Sequence, residues 1–257
     1  MAVSFGADDG IGVITLDKPP ANSYDLEFIK ELAAAVREAA ADDAVKVVVL
    51  RSASERFFSA GADVKAFNEN TVEANMDMIR LSHETLSSIA AIPKVFIAEI
   101  NAHALGGGLE IALACDLRFA GEGDYRLGTP EVTLGMLPGN GGTQRLPRLI
   151  GWSRALDLMV TGRTVTPAEA LEIGIVHNVF PAEELRERTL EYARALASGA
   201  TKAIGNIKLA VHAGLAAGLE LGLDRERELV EELFESEDGR EGIAAFAEKR
   251  TPVFSGR

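Results

Sequence analysis

The segment Ile100–Asp116, INAHALGGGLEIALACD, constrains the fold more than any other part of the sequence. Three consecutive glycines, Gly106, Gly107 and Gly108, precede a run in which Glu110 is the only charged side chain before Asp116. Glycine lacks a Cβ, so the triplet admits positive φ and lets another group approach the backbone closely. Ile111–Cys115 is apolar on every face, the pattern of a helix enclosed by protein. Glu110 is therefore expected to enter the interior on the first turn of that helix, beside N–H groups that lack an intrahelical partner. A buried carboxylate is costly unless it is paired, hydrogen-bonded or protonated. Two readings are open. One is a glycine turn into a core helix, with Glu110 bonded to a neighbouring amide. The other is a reaction site, where free N–H groups face an oxygen gaining negative charge and the carboxylate moves a proton. The GxGxxG and Walker spacings of phosphate loops are absent, and no Lys-Ser or Lys-Thr follows the glycines.

The chain has 257 residues, 47% of them hydrophobic, enough for one substantial domain or a domain with an appended subregion. Its single cysteine, Cys115, excludes an internal disulfide framework and is expected to be a small core residue. His83, His103, His177 and His212 are scattered without metal-ligand spacing, so they read as structural or exposed and no metal is expected. A net charge of −13 argues against general nucleic-acid binding, although local lysines could hold a polyanionic small ligand. The start, MAVSFGADDG, has no basic region followed by an apolar stretch, and no apolar run reaches membrane-spanning length. A soluble, cytoplasmic protein with no membrane partner is expected.

Val3–Phe5 and Ile11–Leu16 flank a turn rich in Asp and Gly and read as a hairpin. Asp25 is placed to cap a helix reaching about Ala41, with Leu26, Ile29, Leu32, Ala33 and Val36 on one stripe. Val45–Arg51 has the composition of a buried parallel strand. In Phe57–Phe67 a strand end is followed by Ala and Gly, with Asp63 and Lys65 just beyond; a tight turn explains this as well as a site does. A helix from about Thr71 to Ala91 stops before Pro93, and Lys94–Glu99 forms the strand that leads into the glycines. Cys115–Ala120 returns as a strand. Strands alternating with helices imply an α/β core. Pro130 suits a helix N1 position, which places Glu131 in the first turn, where the macrodipole favours its anion; a purely electrostatic role for Glu131 stays open. PGNGG at Pro138–Gly142 reads as a backbone-lined loop. From Trp152 the pattern is helical, with a long run from Thr201 to about Ser236.

Together these pieces resemble the enoyl-CoA hydratase/isomerase family, the crotonase superfamily, across nearly the whole chain. The residues that carry the resemblance are FSAGADVK at Phe58–Lys65, ALGGGLEIALACD at Ala104–Asp116, GTPEVTLGMLPGNGGTQRL at Gly128–Leu146, the later TPAEALEIGIVHNV and the terminal AFAEKRTPVF. The resemblance implies a crotonase-like spiral of ββα units over residues 1–195, followed by a helical oligomerisation region over 196–257 that builds homotrimers, stacked or not into homohexamers. It implies an acyl-CoA thioester substrate, with no cofactor beyond the coenzyme A that the substrate itself carries, and a place in fatty-acid β-oxidation.

In that family the thioester oxygen sits between two backbone N–H groups, which match Ala62 and Gly107 here. Two glutamates flank a water. They match Glu110, assigned to activate the water, and Glu131, assigned to protonate the α-carbon, while the Gly139 N–H matches a position that helps hold the water. Coenzyme A contacts match Ala60, Ala62, Asp63, Lys65 and Lys18, with Lys249 reaching in from a neighbouring subunit. Two departures stand out: the loop between Asp116 and Glu131 is one residue longer than the common spacing, and KPPAN at Lys18 is shorter than the RPxxxNA pattern. Phe67, the region of Met76 and Met78, and Met136 are candidates for setting acyl length. The expected reaction is hydration of a trans-2-enoyl-CoA. The alternatives are a Δ3,Δ2-enoyl-CoA isomerase or another reaction of the superfamily, and, from a different class, a non-catalytic acyl-CoA binder.

Overall fold

The computed structural model describes residues 1–257. β1 (Val3–Asp8) and β2 (Ile11–Leu16) form the expected hairpin, closed by Asp9 and Gly10 at φ 47° and 77°. Asp-Gly favours such a two-residue turn because both positions need positive φ. Asp25 then caps α1 (Leu26–Ala41) by accepting from the Phe28 N–H at 3.0 Å, and Ile29, Leu32, Ala33 and Val36 are buried along the stripe that the sequence places there.

Three successive units follow. β3 (Val47–Ser52) and β4 (Phe57–Ser59) lead to α2 (Val64–Glu69) and α3 (Val72–Ala91). β5 (Val95–Ile100) and β6 (His103–Leu105) lead to α4 (Gly107–Ala114). β7 (Leu117–Gly121) and β8 (Leu127–Gly128) lead to a 3-10 turn (Glu131–Leu134) and then α5 (Gly142–Ile150), α6 (Trp152–Thr161) and α7 (Pro167–Ile173). The first strand of each unit enters a six-stranded sheet of order β1-β2-β3-β5-β7-β9, closed by β9 (Asn178–Phe180); the second enters a three-stranded parallel sheet, β4-β6-β8. Each unit thus advances both sheets by one strand, which makes the fold the expected spiral of ββα units. Along β3, Val48 and Leu50 enter the large core, while Val47 and Val49 join Ile97, Phe119 and Leu185 on the opposite face under α8 (Leu185–Ala197). A parallel strand covered on both faces accounts for the unbroken β-branched run in the sequence.

Several boundaries differ from the sequence reading. Pro130 precedes a four-residue 3-10 turn instead of occupying the first position of an α-helix. The run expected from Thr201 to Ser236 is two helices, α9 (Thr201–Ala217) and α10 (Leu219–Glu235), because Gly218 at φ 92° ends the first. The helices then pack closely, since a Cβ on Gly222 would lie 2.7 Å from the Gly214 Cα. α11 (Glu237–Glu248) completes the chain. α9 is fastened to the core by Lys208, whose Nζ donates to the Lys94 carbonyl at 2.7 Å and pairs with Asp116 at 2.8 Å. Along α9 and α10, Ile207, Val211, Leu215, Leu219, Leu223 and Val230 are exposed and line one groove. No helix is long and apolar enough to cross a membrane.

Candidate active site

The spiral places the C-terminal ends of β4 and β6 side by side, so segments more than forty residues apart in sequence share one corner. Ligands of parallel sheets commonly bind at such ends. Gly61, at φ 90°, packs so tightly there that a Cβ on it would lie 2.8 Å from the Leu105 carbonyl oxygen and 3.1 Å from the Gly107 nitrogen. The three glycines answer to different demands. Gly106 needs its φ of 54°, whereas a Cβ on Gly107 or Gly108 would lie 2.0 Å from Tyr24 Oη or 2.2 Å from the Ser59 carbonyl oxygen. The Ala62 and Gly107 N–H groups donate to no protein acceptor, while Asp63 N–H and Gly106 N–H on either side are bonded to Tyr24 and Gly128 carbonyls. Two free donors therefore stand close together, Ala62 next to Gly61 and Gly107 at the start of α4.

Glu110, on the first turn of α4, is 1% exposed. Its Oε1 accepts from the backbone N–H groups of Asn140 at 2.8 Å and Gly142 at 2.6 Å. Burial raises its pKa, and these two bonds pull in the opposite direction. The expected amide partner thus exists, but it belongs to the PGNGG loop and not to the glycine turn. Gly139, expected to present its N–H, donates it to no protein acceptor, and its carbonyl lies 2.6 Å from His83 Nε2.

Glu131 comes in from the 3-10 turn. Its carboxyl oxygens are buried and have no hydrogen-bond partner, and Oε1 lies 2.9 Å from where a Cβ on Gly106 would stand. Burial, aided by the charge of Glu110, pushes its pKa up to about 7. The expectation that a helix dipole would favour the anion is overturned, because a single 3-10 turn supplies too little dipole to offset desolvation.

Two residues at this corner escaped the sequence reading. Tyr24 is 3% exposed, its ring hydroxyl stands against Gly107, and it accepts a hydrogen bond from Asn140 Nδ2. Burial first, then the charges of Glu110 and Glu131, raise its pKa and keep the phenol neutral. Tyr24 lies in an irregular segment with no periodicity to orient it; Asn140 lies inside the loop recognised for its glycines. The shortened KPPAN segment is held by Asn22, whose Nδ2 donates to Ser52 Oγ at 2.8 Å and to the Phe58 carbonyl at 3.0 Å.

Lys18, Ala60, Ala62, Asp63 and Lys65 surround one cleft of about 370 Å³ outside this corner. Lys18 is held by Asp25 at 2.6 Å, and Lys65 is exposed, 3.9 Å from Glu69. Asp63 caps α2, accepting from the Lys65 and Ala66 N–H groups at 3.0 and 3.2 Å. Lys249 does not line this cleft and is exposed at the end of α11 with φ 57°. Of the residues proposed to set acyl length, Met78 lies in the core, Phe67 packs against it, and Met76 and Met136 are exposed. Cys115 is a buried core residue whose thiol burial pushes up to about 12. His103 and His177 accept from the Arg126 and Arg118 N–H groups, and His212 lies 3.0 Å from Asp116. No group of three or more His, Cys, Asp or Glu side chains is placed to hold a metal ion.

Comparison with known proteins shows the family. A family model described as enoyl-CoA hydratase/isomerase matches residues 6–257. The chain is 38% identical over 246 residues to the 2,3-dehydroadipyl-CoA hydratase of Escherichia coli K12, covering 95% of each. It is 38% identical over 242 residues to the short-chain-enoyl-CoA hydratase of Clostridium acetobutylicum, covering 93% of this chain and 92% of that one. Among solved structures, an enoyl-CoA hydratase from Geobacillus kaustophilus HTA426 superposes with a TM-score of 0.98 at 50% identity, covering 100% of this chain and 97% of that one. With a family match over almost its whole length, and with two carboxyls and two free amides gathered at the C-terminal ends of β4 and β6, the chain belongs to the enoyl-CoA hydratase/isomerase family.

Proposed function

We propose that the protein hydrates a trans-2-enoyl-CoA to the 3-hydroxyacyl-CoA. The observation that carries this reading is the pairing of two dissimilar carboxyls, Glu110 and Glu131, with the free N–H groups of Ala62 and Gly107. The thioester carbonyl oxygen accepts from both amides. Glu110, its charge supported by two backbone donors, takes a proton from water as the oxygen bonds to C3. Electrons move from the C2–C3 double bond onto the thioester oxygen, where the amides stabilise the enolate-like charge. Glu131, protonated near neutral pH, delivers its proton to C2, and the proton taken by Glu110 later restores the pair. The Gly139 N–H is free to hold the water. The addition is redox-neutral, so the reading calls for no metal or redox cofactor.

The coenzyme A portion runs along the cleft bordered by Lys18, Ala60, Asp63 and Lys65, with Lys249 supplied by a neighbouring subunit. The exposed apolar residues along α9 and α10 support assembly as a trimer or a hexamer of stacked trimers, since large apolar patches usually mark interfaces. The one buried cysteine is consistent with a reducing cytoplasm, and fatty-acid β-oxidation is the setting we favour. Incubation with short trans-2-enoyl-CoA substrates, without added metal or redox cofactor, tests the reading through loss of the enoyl-thioester absorbance. Double-bond migration alone, across a range of chain lengths, would make the enzyme an isomerase. An active monomer in sedimentation would remove both the assembly and the role given to Lys249.

A further inference from the structure

Tyr24 and Asn140 adjoin Ala62, Gly107 and Glu110, yet neither has a task in the proposed reaction. The Tyr24 backbone brackets Ala62, its N–H donating to the Gly61 carbonyl at 2.9 Å and its carbonyl accepting from the Asp63 N–H at 2.9 Å. The side chain continues to Gly107, where Oη stands close to the position a Cβ would occupy. In a helix the Cα–Cβ bond tilts toward the N-terminus, the direction in which the first N–H groups also point. Tyr24 Oη is thus on the side of Gly107 that faces any oxygen bound by its N–H.

Hydrogen-bond accounting leaves the phenol a proton to give. Asn140 Nδ2 donates to Oη, so Oη acts as the acceptor in that bond, and no protein acceptor receives the Tyr24 O–H. Asn140 is itself anchored, its backbone N–H on Glu110 Oε1 and its carbonyl accepting from Arg145 Nη1 at 2.8 Å. The pair is 3% and 1% exposed, which shields it from competing solvent. Burial first, then the charge of Glu110, disfavours the phenolate, so the donor proton is retained.

We propose that the Tyr24 hydroxyl is a third hydrogen-bond donor to the thioester oxygen, beside the Ala62 and Gly107 N–H groups, with Asn140 as the positioning residue that turns its proton toward the substrate. The inference rests on the acyl-CoA reading of the site. A hydroxyl donor adds to the amides without altering the fold of the glycine turn, and its effect is confined to the charge that develops on oxygen.

The test uses the full chain, butanoyl-CoA labelled with ¹³C at its thioester carbonyl as an unreactive probe, and the variants Tyr24→Phe and Asn140→Ala. On wild-type protein the carbonyl stretch should fall below its position in water, and on Tyr24→Phe it should move back up. Hydration kcat should drop about 10²-fold in Tyr24→Phe with KM little changed, since removing one such donor costs at least that order. Asn140→Ala should show a smaller shift and a smaller loss, and should add nothing in the Tyr24→Phe background. A carbonyl band at the same frequency on wild type and Tyr24→Phe overturns the third donor while leaving the two amides intact. Equal losses from Asn140→Ala in both backgrounds overturn the positioning role. A wild-type protein that neither binds the probe nor shifts its band overturns the acyl-CoA reading and this inference with it.

Discussion

The two carboxyls of the site, Glu110 and Glu131, differ in almost every support. Glu110 stands on the first turn of an enclosed helix, with two backbone N–H groups on one oxygen. Glu131 stands on a short 3-10 turn, with neither oxygen partnered. Both are desolvated, and burial raises the pKa of both. Glu110 has two loop amides that counter the effect, whereas Glu131 is opposed only by its own backbone N–H, so the first carboxyl holds its charge more readily and the second its proton. Environments that push two like groups apart are what separate a base from an acid. The lesson is that backbone amides, contributed by a loop remote in sequence, set which of two identical side chains does which task.

The largest effects should come from removing either member. Glu110→Gln and Glu131→Gln should each lower hydration by ~10²- to 10⁴-fold while acyl-CoA affinity changes far less. Near-normal turnover by both variants, with intact circular dichroism, would break the two-carboxylate reading. Next, Gly142→Ala should injure Glu110 without touching its chemistry. A Cβ there would lie 2.9 Å from Oε1 and 3.0 Å from Pro138 Cβ, and displacement of a reacting group by about 1 Å can cost on the order of 10²-fold. A fully active Gly142→Ala variant would show that the loop amides do not fix Glu110.

A milder effect is expected from pH. Glu131 titrates at about 7 and must carry its proton to act as the acid, so kcat/KM should decline as pH rises through that value, by about tenfold per unit beyond it. A flat profile from pH 6 to 9 would assign the proton to another group. The smallest effect concerns stability. Glu131 has its folded pKa raised from 4.5 to about 7, so its contribution is fully present below about pH 4.5 and is lost as pH rises through 7. Glu131→Gln should therefore melt a few degrees higher than wild type at pH 8 and equally at pH 4, a difference of about 1–2 kcal/mol after allowing for partial solvent screening. An unchanged melting temperature at pH 8 would mean that Glu131 finds a partner in solution.

Much of the fold was legible in local pattern. Asp-Gly between two apolar runs produced the hairpin, Asp25 the cap of α1, and the β-branched run at Val47–Leu50 a strand covered on both faces. The enclosed helix with one carboxylate was equally plain, because an all-apolar helix can only lie inside. Element ends were less so: Gly218 could have been a helical residue, and only its φ of 92° makes it the break between α9 and α10. Pro130 likewise permits a helix start but does not decide how many turns follow.

The sequence by itself determined that a buried acid would stand beside free amides at a glycine turn, since composition and spacing act over a few residues. Resemblance then matched Glu131, Ala62 and the cleft lysines to positions of a known family. What only tertiary structure decided is who partners whom. Glu110 draws its donors from Asn140 and Gly142, thirty residues onward, and Tyr24 crosses from the far end of the chain to stand over Gly107. Such contacts have no local signature, because they depend on how two parallel sheets advance one strand at a time and bring the ends of β4 and β6 together. The same packing removes water from Glu131 and raises its pKa to about 7, against the anionic form that its place after a proline had implied.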